Sequence, residues 1–371
     1  MSDDNQRRQT DGTGIGKTVN RRRFLQATGV TSVAALAGCL SGDNDGGGGG
    51  GGGGGGNGSG NGGGSWRPSK AMRYIVPYAE GGGTDTYARG IVEAFTESLG
   101  QNIQIDNIPG AGGLNGFGQL MRAQPDGHTI LGSATPLEVA PQLLENPGFD
   151  QRDSTGVGTF GGSAWTLVVN EQYEGEVETL EDVIEKHNSG EWENIGVQAP
   201  GSSQDIIVLL AKYELDSYDW QWSSRVRYNG TGPVAQAVAS GEVPCGIGTD
   251  AGTASVVETG RIYPATTFVS DGSPVFPDVP SVTDLGYEEM DWIGGLTRGM
   301  YAPPETPEDI RAGLSDALKQ AVESDKVQKW SEDTGNPVWH EGPEAATEVM
   351  DAAFTQFEEF QVVDLVEEHS G

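Results

Sequence analysis

Val76-Pro77-Tyr78-Ala79-Glu80-Gly81-Gly82-Gly83-Thr84-Asp85 joins a short apolar run, Met72–Val76, to a helical pattern from Asp85 to Leu99. Tyr87, Ala88, Ile91, Val92, Phe95 and Leu99 supply the helical spacing. Glycines between a strand and a helix start leave backbone N–H groups free and let a ligand approach the main chain closely. The positive end of the helix dipole adds to this, so the stretch predicts an anion-binding loop.

Outward from this loop the same unit recurs. Ile103–Asn107 reads as a second strand, followed by a second glycine loop, Ile108-Pro109-Gly110-Ala111-Gly112-Gly113, and a helix over 114–123. A turn at Asp126-Gly127 precedes a third strand over 128–133, ending at Ser133. After a strand over 165–170 the pattern restarts. A helix over 180–187 and a strand over 194–198 lead to the loop Ala199-Pro200-Gly201-Ser202-Ser203-Gln204-Asp205 and an apolar helix over 206–215. Ser202 or Ser203 is an N-cap signal. A strand over 225–228, the loop Asn229-Gly230-Thr231-Gly232, a helix to Ser240 and strands over 242–249 and 263–269 complete this half. Residues 291–302 read as a return crossing, and helices over 307–321, 326–333 and 344–360 are expected to pack back on the first half. The alternation predicts an α/β protein with mainly parallel strands, in two lobes with a ligand cleft between them. The expected division is 68–168 plus 294–371 for lobe 1 and 169–293 for lobe 2.

Before the globular part stands Arg21-Arg22-Arg23-Phe24-Leu25, a twin-arginine export pattern. An apolar run too short to span a bilayer follows, ending in Leu36-Ala37-Gly38-Cys39, which is similar to the lipobox of exported lipoproteins. Residues 1–39 therefore read as a signal segment with Cys39 as the lipidation site, and the outer face of the cytoplasmic membrane as the destination. Residues 40–67 include eleven consecutive glycines, Gly46 to Gly56, and read as a disordered tether. With Cys39 acylated, Cys245 has no intrachain disulfide partner and reads as a small buried apolar residue.

Fifty-four acidic against 22 basic side chains give a net charge of −32, which argues against a nucleic-acid partner. The charge suits a halophilic setting, where at about 1 M salt the screening length falls to ~3 Å. Catalytic machinery is missing from the sequence. The first loop has no Gly-Lys-Ser/Thr, its glycines are contiguous rather than spaced for a dinucleotide, and no Gly-x-Ser-x-Gly elbow occurs. His128, His187, His340 and His369 have no metal-type spacing. The chain reads as a non-enzyme with no metal or cofactor. Backbone donors in the loops, with Thr84, Ser133, Thr135, Ser202, Ser203 and Thr231, fit a small carboxylate or similar polar solute.

The first loop resembles the ligand loop of the tripartite tricarboxylate transporter receptor family, also called the Bug family. Asn107-Ile108-Pro109-Gly110-Ala111-Gly112-Gly113, Pro125-Asp126-Gly127-His128-Thr129-Ile130-Leu131-Gly132 and Pro277-Asp278-Val279-Pro280-Ser281-Val282 resemble further motifs of that family. The similarity spans roughly residues 70–360. It implies a flytrap-like receptor, here a monomer, that delivers a small carboxylate to membrane permease subunits. By motif it assigns the ligand to Tyr78, Gly82, Gly83, Thr84, Asp85 and Ser133, with Gly201, Ser202, Ser203 and Asn229 from the second lobe. Asp85 either accepts from a ligand N–H or bridging water, or caps its helix. Asp205 stands where the family commonly has His, and facing the cleft it would oppose a second ligand carboxylate. Asn57 and Asn229 head glycosylation sequons, with Asn229 expected unmodified because a glycan there would block closure. A ligand sensor for a signalling partner is the alternative reading, and a secreted hydrolase a remoter one.

Overall fold

The computed structural model describes residues 66–369 apart from Glu288, so the signal segment, Cys39, most of the tether and the Asn57 sequon lie outside the described residues. The strands are β1 Met72–Val76, β2 Ile103–Asn107, β3 Thr129–Thr135, β4 Thr155–Asn170, β5 Asn194–Val197, β6 Ser224–Arg227, β7 Cys245–Thr249, β8 Ile262–Thr267 and β9 Gly295–Ala302. The helices are α1 Gly83–Leu99, α2 Leu114–Leu120, α3 Val139–Glu145, α4 Leu180–Asn188, α5 Ser203–Tyr213, α6 Thr231–Ser240, α7 Asp250–Val257, α8 Glu308–Val322, α9 Asp325–Thr334, α10 Pro343–Glu359 and α11 Val362–His369.

The strands form one path, β2-β1-β3-β9-β4-β7-β5-β6, with β8 on β4. It is not mainly parallel throughout, as the alternation alone suggested. Two parallel blocks, β2-β1-β3 and β7-β5-β6, are joined through antiparallel β9 and β4. The chain leaves the first block along β4 and returns along β9, and two strands crossing in opposite senses must pair antiparallel. β4 changes partners midway: Ala164 pairs with Gly295 of β9, and Trp165 with Thr249 of β7.

The first ten residues of β4 carry no alternating apolar signal, and only residues 165–170 read as strand. The structure explains the glycines there. Residues 337–343 lie directly on the strand, and Thr159 N–H donates to Glu341 O at 3.0 Å. A Cβ at Gly158 would stand 2.8 Å from Glu341 O, and one at Gly161 2.6 Å from Pro337 O. Close backbone approach replaces side-chain packing on this face.

α1 forms because its apolar positions fall on one stripe, and Tyr87, Ile91 and Phe95 pack in one core cluster with Leu314 and Leu318 of α8. Each such large side chain stabilises the fold by about 1.5–3 kcal/mol on burial. Gly100, at φ 71°, ends the helix with its N–H donating to Thr96 O. α8 and α10 pack on the first half as expected, against α1 and β4. A further helix not expected from the sequence, α11, lies against α5 of the second half and against α3 and α10. The His369 ring stacks on Tyr213 at 3.8 Å, and its carbonyl accepts from Arg225. Cys245 is buried in β7, and burial pushes its thiol well up.

Candidate functional site

The carboxyl ends of both parallel blocks carry a loop of the same construction. In the first, Gly82 N–H donates to Ala79 O at 3.2 Å, Gly81 takes φ 79°, and Gly82 is the extended N-cap of α1. The Asp85 carboxylate turns back to accept from Gly81 N–H at 2.9 Å. It also accepts from Asn107 Nδ2 at 2.9 Å and Arg89 Nε at 2.8 Å. Burial pushes the Asp85 carboxyl up, but Arg89, the Gly81 N–H and Asn107 together outweigh it and hold it below the usual aspartate range. With both oxygens engaged, Asp85 braces the loop. The N–H groups of Gly83, Thr84 and Asp85 in the first turn of α1 meet no acceptor among the described residues, and no side chain caps them.

In the second loop Ser202 N–H donates to Ala199 O at 3.0 Å, Gly201 takes φ 74°, and Ser202 is the extended N-cap of α5. Asp205 turns back to accept from Gly201 N–H at 3.1 Å and pairs with Arg225 Nη1 at 2.6 Å. Asp205 is fully buried, and burial pushes its carboxyl up against the pull of Arg225. It is neutralised inside the second half and does not face a ligand as a free charge. The expected conflict with a second ligand carboxylate therefore disappears. Ser202 Oγ accepts from Asp205 N–H at 3.4 Å, so the side chain closes one donor that the first loop leaves open.

The other strand ends meet these loops. Asn107, at the end of β2, donates to Tyr78 O at 3.1 Å. Tyr78 Oη and Ser133 Oγ are buried beside Glu138, near enough to influence one another's ionisation, yet neither hydroxyl completes a hydrogen bond of normal geometry. Burial raises both the Tyr78 hydroxyl and the Glu138 carboxyl. In the second half, Thr231 Oγ1 accepts from Gln198 Nε2 at 3.3 Å and from Thr249 N–H at 3.2 Å, tying together the ends of β5 and β7 and the start of α6. Asn229 is exposed two residues before Thr231. Ser203 is buried with Oγ unpartnered.

Three residues were not read from the sequence. Gln204 is fully buried with neither amide atom partnered, and Glu138 keeps one carboxylate oxygen without a donor. Arg298 of β9 is 3% exposed, and its guanidinium stacks 3.6 Å over the Tyr87 ring. A shared spacing, Ala79-x-Gly81-x-x-x-Asp85 and Ala199-x-Gly201-x-x-x-Asp205, could have revealed Gln204 as the counterpart of Thr84. Nothing local marks Arg298. A separate cavity of about 560 Å³ lies at the amino ends of β1 and β3; two of its cations are paired, Arg73 with Asp106 and Lys70 with Asp126, and Arg122 lines it as well. Among the described residues no group of three His, Cys, Asp or Glu could hold a metal, and no helix is long and apolar enough to cross a membrane.

A two-block α/β sheet with matched loops at its carboxyl ends is the two-lobed fold of the periplasmic binding proteins. Residues 87–354 match the model of the tripartite tricarboxylate transporter family receptor, and the chain belongs to that family. Among its relatives, a protein of Agrobacterium vitis encoded in the ttuE–ttuC′ intergenic region is 27% identical over 264 residues, 70% of this chain and 73% of that protein. Protein BugT of Bordetella pertussis is 26% identical, covering 70% of this chain and 78% of BugT. The solved structure of MatC from Rhodopseudomonas palustris with bound malate superposes with a TM-score of 0.64 at 27% identity, covering 81% of this chain and 99% of MatC. A second R. palustris protein, solved with adipate, shares the fold with a TM-score of 0.68 at 23% identity, over 80% of this chain and 97% of that one.

Proposed function

We propose that this protein is an extracytoplasmic receptor that captures a small organic carboxylate and delivers it to the membrane permease subunits of a tripartite transporter. The observation that carries the reading is the uncapped first turn of α1, where three N–H groups stand open above a loop braced by Asp85. An oxyanion is the ligand such a turn takes best. MatC, a relative of matching fold, was solved with malate, which agrees with this chemistry. Gly82, Gly83, Thr84, Tyr78 and Ser133 would hold the ligand from lobe 1, and Gly201, Ser202, Ser203 and Asn229 would close from lobe 2. Asp85 acts as the brace. The lobes divide within β4 and again just before β9, with Cys39 carrying the lipid anchor and the receptor acting as a monomer without enzymatic turnover.

Thermal unfolding at high salt against a panel of organic acids including malate and adipate tests this. A ligand at 100 times its Kd stabilises the native state by about 2.7 kcal/mol, a readily measured rise in Tm. A flat response across the whole panel would sink the reading. Release of the Cys39→Ser variant from membranes checks the anchor.

A further inference from the structure

Arg298 is a buried cation that lacks a counter-ion in contact. Nη1 donates to Ser163 Oγ at 3.2 Å, while the buried Nε has no acceptor. Asp250 at the start of α7 influences Arg298 electrostatically without forming an ion pair with it. Its carboxylate is engaged elsewhere, accepting from Ser273 Oγ and from Ala251 N–H, each at 2.7 Å. Tyr74 Oη, which also acts on Arg298, is a neutral phenol, buried and unpartnered. A cation buried without a partner is costly, and such groups cluster where a ligand supplies what the protein withholds.

The position of the guanidinium shows what it faces. A Cβ on Gly83 would stand 3.2 Å from Arg298 Nη2, so the side chain reaches the first residue of α1, beside the open N–H groups of Gly83 and Thr84. Glycine at 83 puts no side chain against the guanidinium, where even a methyl group would be tight. Two independent features, an uncapped helix start and an under-partnered guanidinium, thus converge on one point. β9, which carries Arg298, lies between β3 and β4, with Arg298 opposite Ala134 on one side and Gly161 on the other.

We propose that Arg298 is the charged anchor of the ligand site, taking the ligand carboxylate on its fork while the first turn of α1 donates from the other side. This rests on the receptor reading and names its specificity: the ligand carries an ionised carboxylate at this end, and the uncharged amide of the same skeleton is rejected. A planar guanidinium offers two parallel N–H donors to a carboxylate, which a lysine cannot reproduce. Asp250 offsets part of the field, so the subsite accommodates one carboxylate.

Calorimetric titration of malate, adipate and their diamides at high salt separates the possibilities. Wild-type protein should bind at least one diacid and reject its diamide. Arg298→Gln should weaken the diacid at least about 100-fold and abolish the preference for acid over amide, and Arg298→Lys should recover only part of the loss. Arg298→Gln with wild-type affinity, or a wild-type protein that binds diamide as tightly as diacid, overturns the anchor and leaves the receptor standing. Wild-type protein that binds none of the acids overturns both. Where Arg298→Gln does not fold, Gly83→Ala provides the second arm. Its helical backbone tolerates alanine, and its methyl group intrudes beside Nη2, so at least a ~10-fold loss is expected. Unchanged affinity in that variant also overturns the anchor.

Discussion

The Gly81–Asp85 and Gly201–Asp205 loops share one backbone and differ in how each is supported. Both turn on a left-handed glycine, begin a helix two residues later and fold an aspartate back onto the glycine N–H. The arginine that meets Asp85 is half exposed, with 48% of its side chain accessible, whereas the arginine that meets Asp205 has only 5%. The first loop leaves its helix start open; the second closes part of it with Ser202. The first thus presents main-chain donors on a surface-braced loop. The second is locked from inside and keeps the buried, unpartnered polar side chains Ser203 and Gln204.

Breaking the two braces should expose this difference most strongly. Arg225→Met leaves Asp205 buried without its cation and should cost about 3–5 kcal/mol in denaturant unfolding. Arg89→Met leaves Asp85 with the Gly81 and Asn107 donors, and should lower stability by only a small fraction of that. Equal losses would mean the two braces are not distinct. The shared turn should respond alike in both loops. Gly81→Ala and Gly201→Ala each force a left-handed alanine where no Cβ clash occurs within 3.4 Å, so each should lose about 1–2 kcal/mol. Gln204→Leu removes two buried, unpartnered amide atoms and should leave unliganded stability unchanged or raise it by up to about 1 kcal/mol, while weakening ligand binding. A Thr84→Val change in the first loop should affect binding less, because there the donors are main-chain.

The smallest effect is in pH. Asp85 is held below its ordinary value, so its contribution to stability is complete above about pH 4 and is lost as pH falls through its lower folded value. Asp205 is raised, so relative to Asp205→Asn the wild type is most favoured below about pH 4 and loses ground as pH rises through the folded value. Urea titrations of the two Asn variants across pH 3–6 should therefore give slopes of opposite sign.

The sequence discloses those parts of this molecule whose signal is local. β1, β2 and the core of α1 announce themselves through apolar spacing and glycine punctuation, and β5, α5 and β7 do so nearly as well. α3 and the first ten residues of β4 escape because their pattern is set by distant chain: Gly158 and Gly161 are strand residues for the sake of residues 337–343, nearly 180 positions on. The candidate site divides the same way. Tyr78, Gly82–Asp85 and Ser133 are visible as a loop motif, whereas Arg298 looks like any strand arginine until β9 carries it beneath α1. Arg225 is similar, since a four-residue strand with two arginines reads as surface until Asp205 is placed beside it.

The switch of partners along β4 has a mechanical consequence. Up to Ala164 the strand is fastened to β9 and overlaid by residues 337–343; from Trp165 it is fastened to β7 and β8. The returning chain is pinned at the same level, since Trp165 N–H donates to Gly294 O and Phe268 N–H donates to Trp165 O, each at 2.9 Å. The strand thus changes partners across one peptide unit, 164–165, and the returning chain enters β9 across another, 294–295. Gly294 sits so tightly on the Phe268 carbonyl that even a methyl group would jam the pair. A side chain at this position would therefore disturb the junction between the two halves directly.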